Sequence, residues 1–131
     1  MTGLDTNILV RYFVKDDPEQ TRLAVDLIHT LSAAEPGWIG VATLLELIWA
    51  LSRIYHTEKA GVVRILETLL ASRDLVVESN ETVRASLRLY GAGNADFVDC
   101  LIAASARAAG CGRTVTFDYV AARDAGMQLL A

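Results

Sequence analysis

The sequence predicts an α/β fold, a three-layer α/β/α sandwich around a mainly parallel sheet of four to five strands, and three observations carry that reading. Short apolar runs ending in an acid or a turn alternate with longer stretches of helical apolar spacing, the order expected when helices connect parallel strands. No repeat, low-complexity tract or internal linker interrupts the alternation, so the 131 residues are expected to form one domain, residues 1–131, burying roughly two thirds of its unfolded surface. Hydrophobic residues make up 53% of the chain and the mean hydropathy is positive, a balance that argues against disorder.

The first strand, about residues 2–5, closes on Asp5. Thr6 and Asn7 follow, and Ile8-Leu9-Val10-Arg11-Tyr12-Phe13-Val14 then resumes apolar character as a short helix. Asp16-Asp17-Pro18-Glu19 is the next helix start, because Asp17 can cap, the fixed φ of Pro18 suits a first helical position, and acids favour the positive end of the dipole. Leu23, Leu27, Ile28 and Leu31 keep helical spacing to about Ala33, where Pro36-Gly37 ends the run. Trp38-Ile39-Gly40-Val41 is predicted as the second strand.

From Ala42 to about Tyr55 a helix is apolar all round except for a stripe of Ala42, Thr43, Glu46, Ala50 and Arg53, centred on Glu46. A further helix starts at Thr57-Glu58-Lys59 and runs to Leu70, Leu75-Val76-Val77-Glu78 is a third strand, and Ser79 or Asn80 caps a helix to about Tyr90. Gly91-Ala92-Gly93-Asn94 breaks that helix. The next opens on Ala95-Asp96-Phe97-Val98-Asp99 and stops at Gly110. Residues 113–117 form a fourth strand ending in Asp118, and a short helix over about 119–125 leads to the segment 127–130.

The formal net charge of −4 sets aside a domain that grips nucleic acid through its own basic surface. It leaves room for a nuclease that contacts phosphate through a metal. Cys100 and Cys111 are expected to be buried or half-buried thiols, and with no CxxC and only His29 and His56 there is no zinc site to assemble. No apolar run approaches the roughly 20 residues of a membrane span and no signal-peptide pattern opens the chain, so the expected location is the cytoplasm.

Taken singly, each acid has an ordinary explanation: Asp5 and Asp118 as helix caps, Glu46 as a solvated position, Asp96 and Asp99 as a cap with its partner in the first turn. Jointly they are harder to dismiss. In a parallel sheet the strand carboxyl ends and the following helix N-termini share one edge, where ligands bind, and all five acids are predicted at such places. Carboxylates brought together repel unless a cation or protonation offsets the charge. Oxygen ligands without His or Cys suit Mg²⁺ or Mn²⁺, ions that can activate a water and steady a leaving oxygen in phosphodiester hydrolysis. Thr6, Asn7 and Thr116 are small polar neighbours able to hold a water or a phosphate oxygen, and Arg11, Lys15, Arg22 and Arg53 are candidate phosphate contacts.

Leu4-Asp5-Thr6-Asn7, Thr43-Leu44-Leu45-Glu46, the run from Asp96 to Ala104 and Thr116-Phe117-Asp118 occur in an order and at a spacing that resemble the PIN-domain ribonucleases, specifically the VapC-type toxins of type II toxin–antitoxin pairs. The resemblance covers the full length. It implies Mg²⁺- or Mn²⁺-dependent endoribonuclease activity on RNA, a homodimer, and a cognate antitoxin whose basic C-terminal segment wraps the toxin. It implies Asp5, Glu46, Asp99 and Asp118 as the acidic quartet, with Asp96 in the same metal-binding cluster.

Other classes also combine an α/β sheet with a strand-end acid. A receiver-like module would place an acidic pair at the end of its first strand, whereas Asp16-Asp17 follows a helix, and it would carry a late lysine where this chain has none after Lys59. A dehalogenase-type phosphatase would want an acid two residues after its nucleophile, and Asn7 stands there. A PIN-like binding module without nuclease activity is the remaining alternative.

Overall fold

The computed structural model describes all 131 residues, which group into two compact units, Met1–Glu78 and Ser79–Ala131. In the first unit β1 (Thr2–Gly3), β2 (Gly37–Ile39) and β3 (Leu75–Val77) form a parallel sheet in that order, with Thr2 beside Gly37 and Trp38 beside Val76. Parallel neighbours need long crossovers. Helices α1 (Thr6–Val14) and α2 (Pro18–Thr30) provide the first, and α3 (Val41–Arg53) and α4 (Lys59–Ala71) the second.

Local chemistry sets most of these boundaries. Asp17 accepts from Gln20 N at 3.0 Å with Pro18 in the first helical position, as the sequence predicts. Helix α2 ends at Thr30 rather than Ala33 because a turn takes over: Ser32 N donates to Glu35 O at 3.2 Å and Glu35 N to Ser32 Oγ at 3.1 Å. Glycine at the start of β2 leaves room for the neighbouring leucines: a Cβ on Gly37 would stand 2.9 Å from Cδ1 of both Leu4 and Leu31 and would push those side chains aside. The α3 pattern buries Leu44, Leu47, Ile48 and Leu51, one face at i, i+3, i+4 and i+7, and with Leu9, Ile39, Val62 and Leu66 these fill the unit's core.

Strand β2 stops at Ile39 and α3 begins at Val41, two residues earlier and one residue earlier than the sequence suggests, because Gly40 occupies the N-cap without a side chain to offer. The missing acceptor is Glu78, just past β3, whose Oε1 takes the Val41 N–H at 2.8 Å. Glu78→Ala is expected to destabilise the protein by about 1 kcal/mol, the usual cost of losing a cap at a helix's positive end. Urea denaturation of the variant checks this, and an unchanged midpoint would refute it.

In the second unit α5 (Asn80–Ala92) and α6 (Phe97–Ala108) pack together, followed by β4 (Val115–Thr116), α7 (Tyr119–Asp124) and β5 (Gln128–Leu129). Its core includes the small residues Ala95, Ala103, Ala121 and Ala125 with Cys100 and Met127, which lets elements approach closely. Gly110 stops α6 at φ 98°, the left-handed conformation that favours glycine. Ser79 holds the cap position of α5 at φ 52° but makes no side-chain cap bond.

The fourth strand is shorter than the predicted 113–117. Only Val115 and Thr116 pair, parallel to Gln128 and Leu129, and Phe117 leaves the ladder. Every strand pairing in the chain is parallel, as an α/β fold with helical crossovers requires, and the five strands divide into ladders of three and two. Neither cysteine forms a disulfide; Cys100 is buried as expected, while Cys111 is exposed because it follows the glycine stop. No helix is long and apolar enough to cross a membrane.

Candidate active site

In the first unit, Asp5 is the N-cap of α1, its Oδ1 accepting from Thr6 N at 2.8 Å. The ordinary explanation of Asp5 therefore holds as local structure, and its second oxygen takes no part in that cap. Thr6 is buried, and its hydroxyl donates to Glu46 Oε1, joining residues 40 apart in sequence. Asp5, Thr6 and Glu46 are thus brought together by α1 and α3. Asn7 is exposed beside them.

The stripe around Glu46 departs from the expectation, with Thr43 only half-buried rather than exposed. Ala50 is buried, and the exposed line is Ala42, Glu46, Trp49 and Arg53, spaced 4, 3 and 4, which follows the 3.6-residue turn more closely. Trp49 is 57% exposed. A tryptophan in an apolar helix invites assignment to the core, and the signal that would have found it is its i+3 spacing from Glu46.

Arg11 is engaged by its own neighbours: Nη1 donates to Asp16 Oδ1 at 2.6 Å and to Tyr55 OH at 3.2 Å, and Nε to Gln20 Oε1 at 2.8 Å. The Tyr55 hydrogen bond, then Asp16, hold its guanidinium charged even more firmly than usual. Arg11 ties α1 to the α2 start rather than standing open for phosphate. Arg22 pairs with Glu19 and Asp26, and Lys15 lies 5.3 Å from the Tyr12 ring centre, whereas Arg53 is exposed at the end of α3.

The second unit gathers the other acids. Asp96 caps α6 through Oδ1, accepting from Asp99 N at 2.9 Å, and Asp118 caps α7 by accepting from Ala121 N at 2.9 Å. Thr116 Oγ1 accepts from Asp118 N at 3.0 Å, so the threonine orients the turn that presents the acid. Asp99 is half-buried; burial first, then the charges of Asp96 and Asp118 and a hydrogen bond with the Asp96 side chain, push its carboxyl above the ordinary range. Asp96 thus works as a cap, and its charge is one of those that raise the carboxyl of Asp99.

No three His, Cys, Asp or Glu side chains form a ready-made metal cage. Mg²⁺ does not need one: it ordinarily keeps several waters and takes one or two carboxylates plus substrate phosphates. The donor set of Asp96, Asp99 and Asp118, all hard oxygens with the ionised Asp99 disfavoured until a cation offsets it, fits such an ion in chemistry.

The family model for the PIN domain matches residues 4–126. The chain belongs to the PIN-domain family. The match runs through both compact units and contains all five acids. A VapC ribonuclease of Aquifex aeolicus (strain VF5) is 26% identical over 118 residues, covering 89% of this chain and 87% of that protein. Membership in the PIN family, an α/β fold, separates the chain from the receiver-like and phosphatase-like alternatives.

Proposed function

We propose that this PIN domain is a Mg²⁺- or Mn²⁺-dependent endoribonuclease, the growth-inhibiting toxin of a toxin–antitoxin pair. The observation that carries the reading is Asp99, half-buried and electrostatically opposed by Asp96 and Asp118 inside a chain that matches the PIN domain along most of its length. The relative named as a VapC ribonuclease supports the substrate and the toxin role. Asp5, Glu46, Asp99 and Asp118 are assigned as the acidic set, with Asp96 as a further metal ligand.

Such an ion, when bound, lowers the pKa of an attacking water and offsets charge on the leaving oxygen. The chain's own residues hold and orient. Thr6 fixes one oxygen of Glu46, leaving the other to act, and the caps at Asp96 and Asp118 each commit one oxygen to a helix N-terminus, which sets the direction of the second. Thr116 holds the backbone of Asp118 in place. Asn7 is assigned to water or phosphate positioning; Thr6, its hydroxyl committed to Glu46, acts through that carboxylate, and Arg11 acts through α1. The partners in this reading are RNA, a second copy of the chain, and an antitoxin whose basic C-terminal segment is drawn to a chain of net charge −4 in the cytoplasm.

Asp5→Asn tests the assignment, because Asn caps a helix as well as Asp and leaves the fold intact. The variant is expected to lose Mn²⁺-dependent cleavage of labelled RNA by on the order of a hundredfold while its circular dichroism is unchanged. The wild type is expected to lose activity in EDTA. Equal cleavage by wild type and variant, or cleavage indifferent to EDTA, would overturn the reading.

A further inference from the structure

Two large aromatic side chains stand out of the second unit on either side of an assigned acid. Phe117 is 83% exposed and Tyr119 is 67% exposed, and Asp118 lies between them. The exposure has a local cause: Asp118 N donates to Thr116 Oγ1, and Asp118 Oδ1 receives Ala121 N, so the chain turns sharply from β4 into α7 and carries residues 117 and 119 outward. Leaving a phenylalanine there forgoes the stabilisation that burying its ring would bring. Arg123, paired with both carboxylate oxygens of Asp124 at 2.9 Å, lies 5.9 Å from the Tyr119 ring centre and holds that ring from one side.

We infer that Phe117 and Tyr119 form a stacking platform for the bases that flank the phosphate presented to Asp118 in single-stranded RNA. The inference rests on the nuclease reading. A strand that places a phosphate at Asp118 carries a base on each side of it. Successive Cα atoms are about 3.8 Å apart, so both rings are within side-chain reach of that phosphate's neighbours.

Flat π faces accept any base, whereas aliphatic side chains would serve a protein surface equally well. A duplex keeps its bases stacked inside, so the substrate class is an unpaired strand or a loop. The competing occupant is a second copy of the chain, since Val115, Leu129 and Leu130 are exposed as well.

A comparison of two ligands decides. A fluorescein-labelled decaadenylate and an abasic ribose-phosphate decamer of equal length are titrated, in Ca²⁺, with the wild type, Phe117→Leu, Tyr119→Leu and Phe117→Trp. Stacking of about 1–3 kcal/mol per base corresponds to roughly 5- to 150-fold in affinity. The wild type is expected to bind the base-bearing decamer at least about tenfold more tightly than the abasic one. Each leucine variant is expected to lose about five- to tenfold on the first with no change on the second, and Phe117→Trp to retain binding.

Equal affinity of the wild type for the two decamers, or the same loss on both in the leucine variants, overturns the platform. So does unchanged RNA binding by a double alanine variant, Phe117→Ala with Tyr119→Ala, that sediments as a monomer where the wild type is a dimer, because the patch is then a self-interface. Mn²⁺-dependent RNA cleavage measured alongside separates the two readings. Cleavage without base-dependent binding removes the platform alone, and base-dependent binding without cleavage removes the nuclease reading alone.

Discussion

Asp99→Asn is expected to lose metal-dependent RNA cleavage by on the order of a hundred- to a thousandfold, the scale of several kcal/mol of lost charge stabilisation, while making the metal-free protein more stable at neutral pH. The two effects share one cause. Burial, Asp96 and Asp118 raise the folded-state pKa of Asp99 above its unfolded value, so the native state binds that proton more tightly than the unfolded state does. Above the folded pKa the group is ionised in both states and its contribution opposes folding. As pH falls through the folded pKa the opposition fades, and below the unfolded pKa it is gone. Asparagine removes it throughout and keeps the Asp96 cap, which uses the backbone N–H of residue 99. Thermal unfolding in EDTA should therefore show the variant ahead at neutral pH and the difference shrinking in acid. A variant less stable than wild type at neutral pH would contradict the crowding at Asp99.

Leu47→Ala is expected to destabilise the protein by about 2–5 kcal/mol, the range for a fully buried leucine truncated in place. Leu47 is 0% exposed and next to Glu46, on the face of α3 that packs inward while Glu46 looks out. Total stability is commonly only about 5–15 kcal/mol, so the loss is a large fraction of it. The signature differs from that of Asp99: the urea midpoint falls with the slope unchanged, and any loss of cleavage tracks the unfolded fraction rather than the metal. A shift under about 1 kcal/mol would show that the core closes over the gap, which the packing around Leu44, Ile48 and Leu51 argues against.

Features with a local cause formed where the residue order placed them. Asp17 with Pro18, Asp96 at the head of α6, Asp118 before α7 and Gly110 after α6 act as expected, because a cap or a left-handed stop is decided within four residues. The apolar spacing of α3 marked its buried face for the same reason. The end of α2 shifted because Ser32 and Glu35 formed a competing turn, and β4 shrank to two residues where Phe117 turned out of the ladder.

Residue order alone carries the alternation of strands and helices, the places of the five acids at helix starts or on a helix face, and the family the chain resembles. Helical period, capping and turn chemistry are short-range, so residue order is enough to read them. Long-range packing was needed for Thr6 to grip Glu46 across 40 residues, for Asp16, Gln20 and Tyr55 to absorb Arg11, for Trp49 and Phe117 to face solvent, and for burial with the charges of Asp96 and Asp118 to raise the carboxyl of Asp99. Exposure and electrostatic field are sums over everything packed nearby, and residues distant in sequence supply most of that sum.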